Sequence, residues 1–164
     1  MNPTRLLKTA IMPALDELAT LGIPSSIGAA RFLLAIALQE SGLAHRRQVS
    51  SDGTENGPAS SFWQFEKNGG CKGVLAHRKA GPLMLRICEG YNVTPESQLL
   101  WEAMRYQDIV AAAAARLLIY TLPSGLPMTA DEGWAQYISA WRPGKPHPDE
   151  WPKNWALASK FTGA

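Results

Sequence analysis

The sequence predicts a mainly α-helical single domain, and three observations carry that expectation. Apolar residues recur with a helical period from the first turns onward, the gaps between periodic segments hold capping and terminating residues, and alternating strand patterns are nearly absent. A length of 164 residues suits one domain, residues 1–164, built on one core. Apolar residues make up 46% of the chain and charged residues 18%, the balance of a folded chain rather than a disordered one. There is no internal repeat, low-complexity tract or interdomain linker.

The elements follow in order. From about Pro3 to Leu21, Leu6, Leu7, Ile11, Leu15 and Leu18 keep a helical spacing, and Gly22 and Pro24 end it. A second helix is expected from about Ser26 to Ser41, with Gly42 as its C-terminal cap. Its stretch Phe32-Leu33-Leu34-Ala35-Ile36-Ala37-Leu38 is apolar on every face, so this helix should be buried. His45 to Pro58, rich in Ser, Asp, Gly, Thr and Asn, reads as a polar loop with room for a small hairpin. A short helix from about Ala59 to Lys67 and two weaker ones between Gly73 and Gly90 come next. Thr94-Pro95-Glu96 then supplies a cap, a first-turn proline and early negative charge. That helix should run through Ala111–Ala115 to about Tyr120, its alanines suiting a central buried position. Thr129-Ala130-Asp131-Glu132 is a capping box opening a helix to about Trp141. The stretch from Arg142 to Pro148 is a loop, and a last helix from about Trp151 to Phe161 packs Trp151 and Trp155 together against the core.

Several functional classes are excluded. The net charge is only +2 and no Lys/Arg run is interleaved with aromatics, so nucleic acid is not an expected partner. The longest apolar run, Phe32 to Leu38, is far too short to cross a bilayer, so no stable membrane insertion is expected. Cys71 and Cys88 lack metal-ligand spacing and a chain this long needs no staple; two free thiols is the default over a pair. His45, His77 and His147 are widely separated and read as surface residues, and Asn68-Gly69-Gly70 reads as a turn. No metal or other cofactor is implied. The start Met1-Asn2-Pro3-Thr4-Arg5 has no apolar stretch or cleavage site of a signal peptide, which predicts synthesis in the cytosol without a leader. Six tryptophans suit either sugar stacking or core filling.

Glu40 is the residue whose position suggests chemistry. It lies one turn after Ile36 and Ala37 and shares their face, at the end of the buried helix. Partial burial and the negative end of the helix dipole both disfavour its ionised form, which is what a general acid working near neutral pH requires. The competing reading is an exposed carboxylate at a frayed helix end.

The neighbouring motifs favour the acid. Gln39-Glu40-Ser41-Gly42-Leu43, a polar loop, and then Gly57-Pro58-Ala59-Ser60-Ser61-Phe62-Trp63-Gln64-Phe65 occur in that order. Ala140-Trp141-Arg142-Pro143-Gly144 follows, beyond an alanine-rich helix. Taken together these blocks resemble the lytic transglycosylases of the lysozyme-like superfamily. Those enzymes carry a Glu-Ser pair closing a buried helix, a polar loop with a serine, a Gly-Ala-x-Gly-Leu-Met-Gln-type segment and an Ala-Tyr-Asn-x-Gly segment. The resemblance spans roughly Phe32 to Lys145 and implies a lysozyme-like helical domain with a polar loop or small β-hairpin after the catalytic helix. It implies peptidoglycan glycan strands as partner and Glu40 as the acid. Ser50 or Ser51 would be the serine that hydrogen-bonds it, and Phe62, Trp63, Gln64, Trp141 and Arg142 would line the sugar groove. The chain departs from the pattern in a longer loop between Glu40 and Gln64, and in Trp141 and Arg142 where the family has Tyr and Asn. Tyr137, one turn earlier, is positioned to supply the missing hydroxyl. Such departures, with no leader, fit a bacteriophage endolysin or a virion-associated muramidase that reaches the wall through a holin or the infecting particle.

The implied mechanism has Glu40 protonate the glycosidic oxygen between N-acetylmuramic acid and N-acetylglucosamine, then act as base while the muramyl 6-hydroxyl closes an anhydro ring. A hydrolysing lysozyme would instead use a second carboxylate. Asp52 and Glu55 are the candidates, although Ser51-Asp52-Gly53-Thr54 also reads as a plain turn. A non-catalytic module that keeps the fold for binding or virion assembly is the third reading.

Overall fold

The first periodic segment folds as two helices, α1 (Pro3–Leu6) and α2 (Met12–Thr20), joined by one widened turn over Leu7–Ile11, in a computed structural model that describes residues 1 to 164. Pro13 explains the widening. It has no N–H to give, and its ring would press on the Thr9 carbonyl of a regular helix. The chain relaxes by slipping one hydrogen bond, the Met12 N–H donating to the Leu7 carbonyl five residues back.

Helix α3 (Ile27–Ser41) begins where Ser26 accepts a hydrogen bond from the Ala29 N–H and ends at Gly42, whose φ of 55° closes the last turn. Phe32 through Ala37 are buried on all sides, as their unbroken apolarity requires. The C-terminal helix α9 (Trp151–Thr162) lies along α3. Ala111–Ala115 have no exposed surface within helix α7 (Asp108–Tyr120), and their small side chains let α2 and α3 approach it closely. Helices α4 (Lys72–Ala76) and α5 (Ala80–Gly90) pack on each other and on α7. Helix α8 (Ala130–Trp141) opens with the expected capping box, Thr129 and Glu132 each satisfying the other's backbone N–H.

Two expected helices are not formed as such. Residues Ala59 to Lys67 make a hairpin instead: β1 (Ala59–Ser60) pairs antiparallel with β2 (Phe65–Glu66), and Arg47 bridges Ser60 from the other side. Ahead of this sheet the polar loop also doubles back on itself, the Gly57 N–H donating to the Gln48 carbonyl and the Ser50 N–H to the Thr54 carbonyl. A helix could also carry Phe62 and Phe65 on one face, so local periodicity does not separate the two conformations here. In the hairpin all three are buried in one core. The reversal uses left-handed backbone at Ser61 (φ 68°) and Gln64 (φ 49°).

The helix expected from Thr94 to Tyr120 is two helices, α6 (Ser97–Ala103) and α7, with a break between them. Its start falls later than the Thr-Pro-Glu signal, with Glu96 in extended conformation as the preceding residue. The break places Asp108 in the first turn of α7, where a negative charge is favourable. There it takes both arms of Arg46, from Nε at 2.9 Å and from Nη2 at 2.7 Å, tying the start of the polar loop to α7. Cys71 and Cys88 are both buried and unpaired. No helix is long and apolar enough to cross a membrane.

Candidate functional site

Glu40 occupies the last turn of α3, and the residue after it fixes where that turn points. The Ser41 hydroxyl lies 3.0 Å from the Ala37 carbonyl and 2.8 Å from the Phe62 carbonyl, and accepts from the Leu43 N–H. This clamps the helix end to the hairpin. Beside it opens a groove of about 650 Å³, bordered by Glu40, Gln64, Glu66, Tyr137, Trp141 and Arg142.

Tyr137 reaches Glu40 from α8, its hydroxyl donating to Oε1 at 2.6 Å. The hydroxyl therefore comes from one turn before Trp141. The Tyr137 ring is only 2% exposed and lies nearly parallel to Trp151, with centroids 5.4 Å apart and planes at 10°. Gly133, one turn before Tyr137, makes room for this stack. A Cβ there would meet Trp155 Cζ3 at 2.5 Å and Trp151 Cζ2 at 3.1 Å.

Burial is the main reason the Glu40 carboxyl is pushed up to about 7. The Tyr137 hydroxyl opposes it by favouring the ion, and the Glu66 carboxylate across the groove adds to the rise by repulsion. Burial wins, so the acid sits where both protonation states are accessible near neutrality. The Tyr137 phenol is raised far above its ordinary range by burial and by the neighbouring Glu40 charge, so it remains a donor.

The other groove residues are braced. Gln64 is half-buried and its Nε2 donates to the Ser61 carbonyl at 2.7 Å. Trp141 donates from its indole to the Trp63 carbonyl at 2.8 Å and sets its ring against the edge of Phe65. Arg142, in left-handed backbone (φ 49°), closes α8 at the groove margin. Gln39 donates to the His147 carbonyl and accepts from Asn154, each at 2.9 Å, which anchors the loop after α8.

Several expected site residues lie elsewhere. Trp63 has no exposed surface and donates its indole N–H to the Leu33 carbonyl at 2.9 Å. It is a core residue that cannot face a sugar. Phe62 is 1% exposed and packs beneath the Arg46 guanidinium. Neither Ser50 nor Ser51 reaches Glu40: the Ser50 hydroxyl bonds Asn56, and Ser51 is exposed on the turn that follows. Asp52 accepts from the Thr54 N–H and hydroxyl, which holds its carboxyl below the usual range. Glu55 pairs with His45 at 3.0 Å. The polar loop closes on itself through the Ser50 N–H to Thr54 carbonyl bond, so these four residues stay off the groove.

Glu66 is the carboxylate the sequence reading missed. Its place on the groove comes from the pairing of β2 with β1, which no local pattern in the sequence announces. No group of three or more His, Cys, Asp or Glu side chains is arranged to hold a metal ion. Comparison with protein-family models, with curated proteins and with solved structures finds no match.

Proposed function

We propose that this chain cleaves the β-1,4 bond between N-acetylmuramic acid and N-acetylglucosamine in peptidoglycan, with Glu40 as general acid and base. The observation that carries this reading is the half-buried Glu40, its carboxyl raised to about 7 by desolvation and held by Tyr137 on the wall of an open groove. Protonated Glu40 gives its proton to the glycosidic oxygen as the bond to the sugar C1 breaks. In a lytic transglycosylase the resulting carboxylate takes the proton of the muramyl 6-hydroxyl as that oxygen closes on C1. The order of motifs around Glu40 supports this route.

Glu66 favours a second reading, hydrolysis. It borders the same groove and its charge raises the Glu40 carboxyl, whereas the candidates Asp52 and Glu55 lie off the groove. A carboxylate there is placed to orient a water or to balance an oxocarbenium ion. Mass spectrometry of digested sacculi separates the two, because anhydromuramyl ends mark the transglycosylase and reducing ends mark the hydrolase. Wild type and Glu40→Gln equally inert on purified sacculi would defeat both readings and leave a non-catalytic lysozyme-like module. Release by a holin or carriage on a phage particle would be the way such a chain reaches the wall.

A further inference from the structure

Across β2 from the Glu40 groove lie two adjoining hollows of about 490 and 310 Å³, both lined by Arg47 and Trp101. Glu66 borders the first of these and also the Glu40 groove, so the surface is continuous from one to the other. Three cations line the hollows: Arg47, Lys67 and Arg105. None of them has a carboxylate partner, whereas Arg46 beside them is fully engaged by Asp108.

The site is held in place before anything binds. Arg47 donates from Nε to the Gly57 carbonyl at 3.0 Å and from Nη2 to the Asn56 carbonyl at 3.2 Å. Its guanidinium stands 5.0 Å from the Trp101 ring centroid, and the Trp101 indole is pinned to the Pro58 carbonyl at 2.8 Å. Tyr106, 78% exposed, extends the aromatic surface beyond it. An ordered guanidinium over an indole, with two more cations nearby, is arranged to take carboxylates.

We propose that these hollows bind the carboxylate-bearing peptide branches of the polymer whose glycan occupies the Glu40 groove. The assignment of the polymer rests on the function proposed above; the charge and continuity of the surface do not. Single-stranded nucleic acid also matches a cation-aromatic groove. The carboxylates of Glu66 and Glu102 on the same walls would repel a phosphate at every nucleotide, while a branch with a few carboxylates avoids them.

The test uses two charge reversals together at half-buried positions, Lys67→Glu and Arg105→Glu, which leave the Arg47 anchor intact. Binding of the free stem tetrapeptide, read by calorimetry at low salt, should weaken by about tenfold or more, and wild-type binding should weaken as salt rises. On peptide-bearing glycan strands the variant should show KM raised by a similar factor with kcat unchanged, and on strands stripped of peptide it should match wild type. Arg47→Ala should produce the same split. Failure of wild type to bind the tetrapeptide, equal losses on stripped and unstripped strands, or binding of a single-stranded oligonucleotide in preference to the tetrapeptide would overturn the proposal. Wild type that binds the tetrapeptide but cleaves neither strand would support this site while removing the catalytic reading of Glu40.

Discussion

The Tyr137 hydroxyl donates to Glu40 Oε1 at 2.6 Å from a ring immobilised against Trp151. A donor to a carboxylate stabilises the ion, so Tyr137 works against the burial that raises the Glu40 carboxyl. The site therefore contains two opposed influences on one proton, with Glu66 adding to burial. Each can be removed separately, and the direction of each result is fixed in advance.

Glu40→Gln should abolish cleavage, with a loss of roughly 10²–10⁴-fold or more for an essential acid. The same variant should gain stability, and the gain should depend on pH. The folded carboxyl titrates at about 7 and an unperturbed one at 4.5, so between these values the folded state holds more proton than the unfolded. Wild-type stability must then fall as pH rises through that window and stay flat above it. The cost of ionising Glu40 above pH 7 is about 3 kcal/mol. Thermal melts at pH 8 should favour Glu40→Gln, with the gap closing towards pH 4. A gap that is the same at both ends of the range would mean the carboxyl is not raised.

Activity of wild type should fall as pH rises through about 7, where the acid form is lost. Glu66→Gln removes a repelling charge and should move that alkaline limb to lower pH. Tyr137→Phe removes the bond that favours the ion and should move it to higher pH, together with a loss in kcat. Opposite movement of the two limbs is the diagnostic result. Limbs that shift together, or not at all, would show that some other group sets the profile.

Trp63→Ala should unfold the hairpin rather than weaken sugar binding. The side chain is wholly buried and its truncation opens a large cavity, costing about 3–5 kcal/mol. Denaturant melts should show this loss, and any remaining folded protein should keep its wild-type KM. A raised KM at unchanged stability would return Trp63 to the groove.

The parts of the fold that were legible in the sequence are those set by local chemistry. Ser26 and Gly42 bracket α3, the Thr129–Glu132 box opens α8, and the alanine run lies in the middle of the core, all as their residue types dictate. What escaped the reading depends on distant partners. In the hairpin Phe62, Trp63 and Phe65 share one core with residues far along the chain, which no window of neighbouring residues reveals. The break before α7 is stabilised by Arg46, which is remote in sequence from Asp108. Within the site, Glu40 and Tyr137 could be named from helix position and motif spacing. Glu66 could not, because its place on the groove follows from the hairpin. The polar loop suggested Asp52 and Glu55 by nearness in sequence, but their own local bonds hold them elsewhere.

Gly133 offers the sharpest test of how the acid is positioned, because it touches neither Glu40 nor the groove. In a helix interior, Gly to Ala ordinarily stabilises by about 1 kcal/mol. Here the added methyl would sit 2.5 Å from a carbon of the buried Trp155 ring and 3.1 Å from one of Trp151, and neither rigid ring can step aside without disturbing the stack. Overpacking of this kind costs about 1–3 kcal/mol, so Gly133→Ala should be destabilising overall despite its better helix propensity. Displacing Trp151 also releases the face on which Tyr137 rests. The variant should therefore lower kcat and move the alkaline limb to higher pH, the same direction as Tyr137→Phe, while KM changes little. Thermal melts and a pH profile on one preparation check both halves. If Gly133→Ala instead gains about 1 kcal/mol and keeps the wild-type profile, the aromatic stack does not hold Tyr137 against the acid.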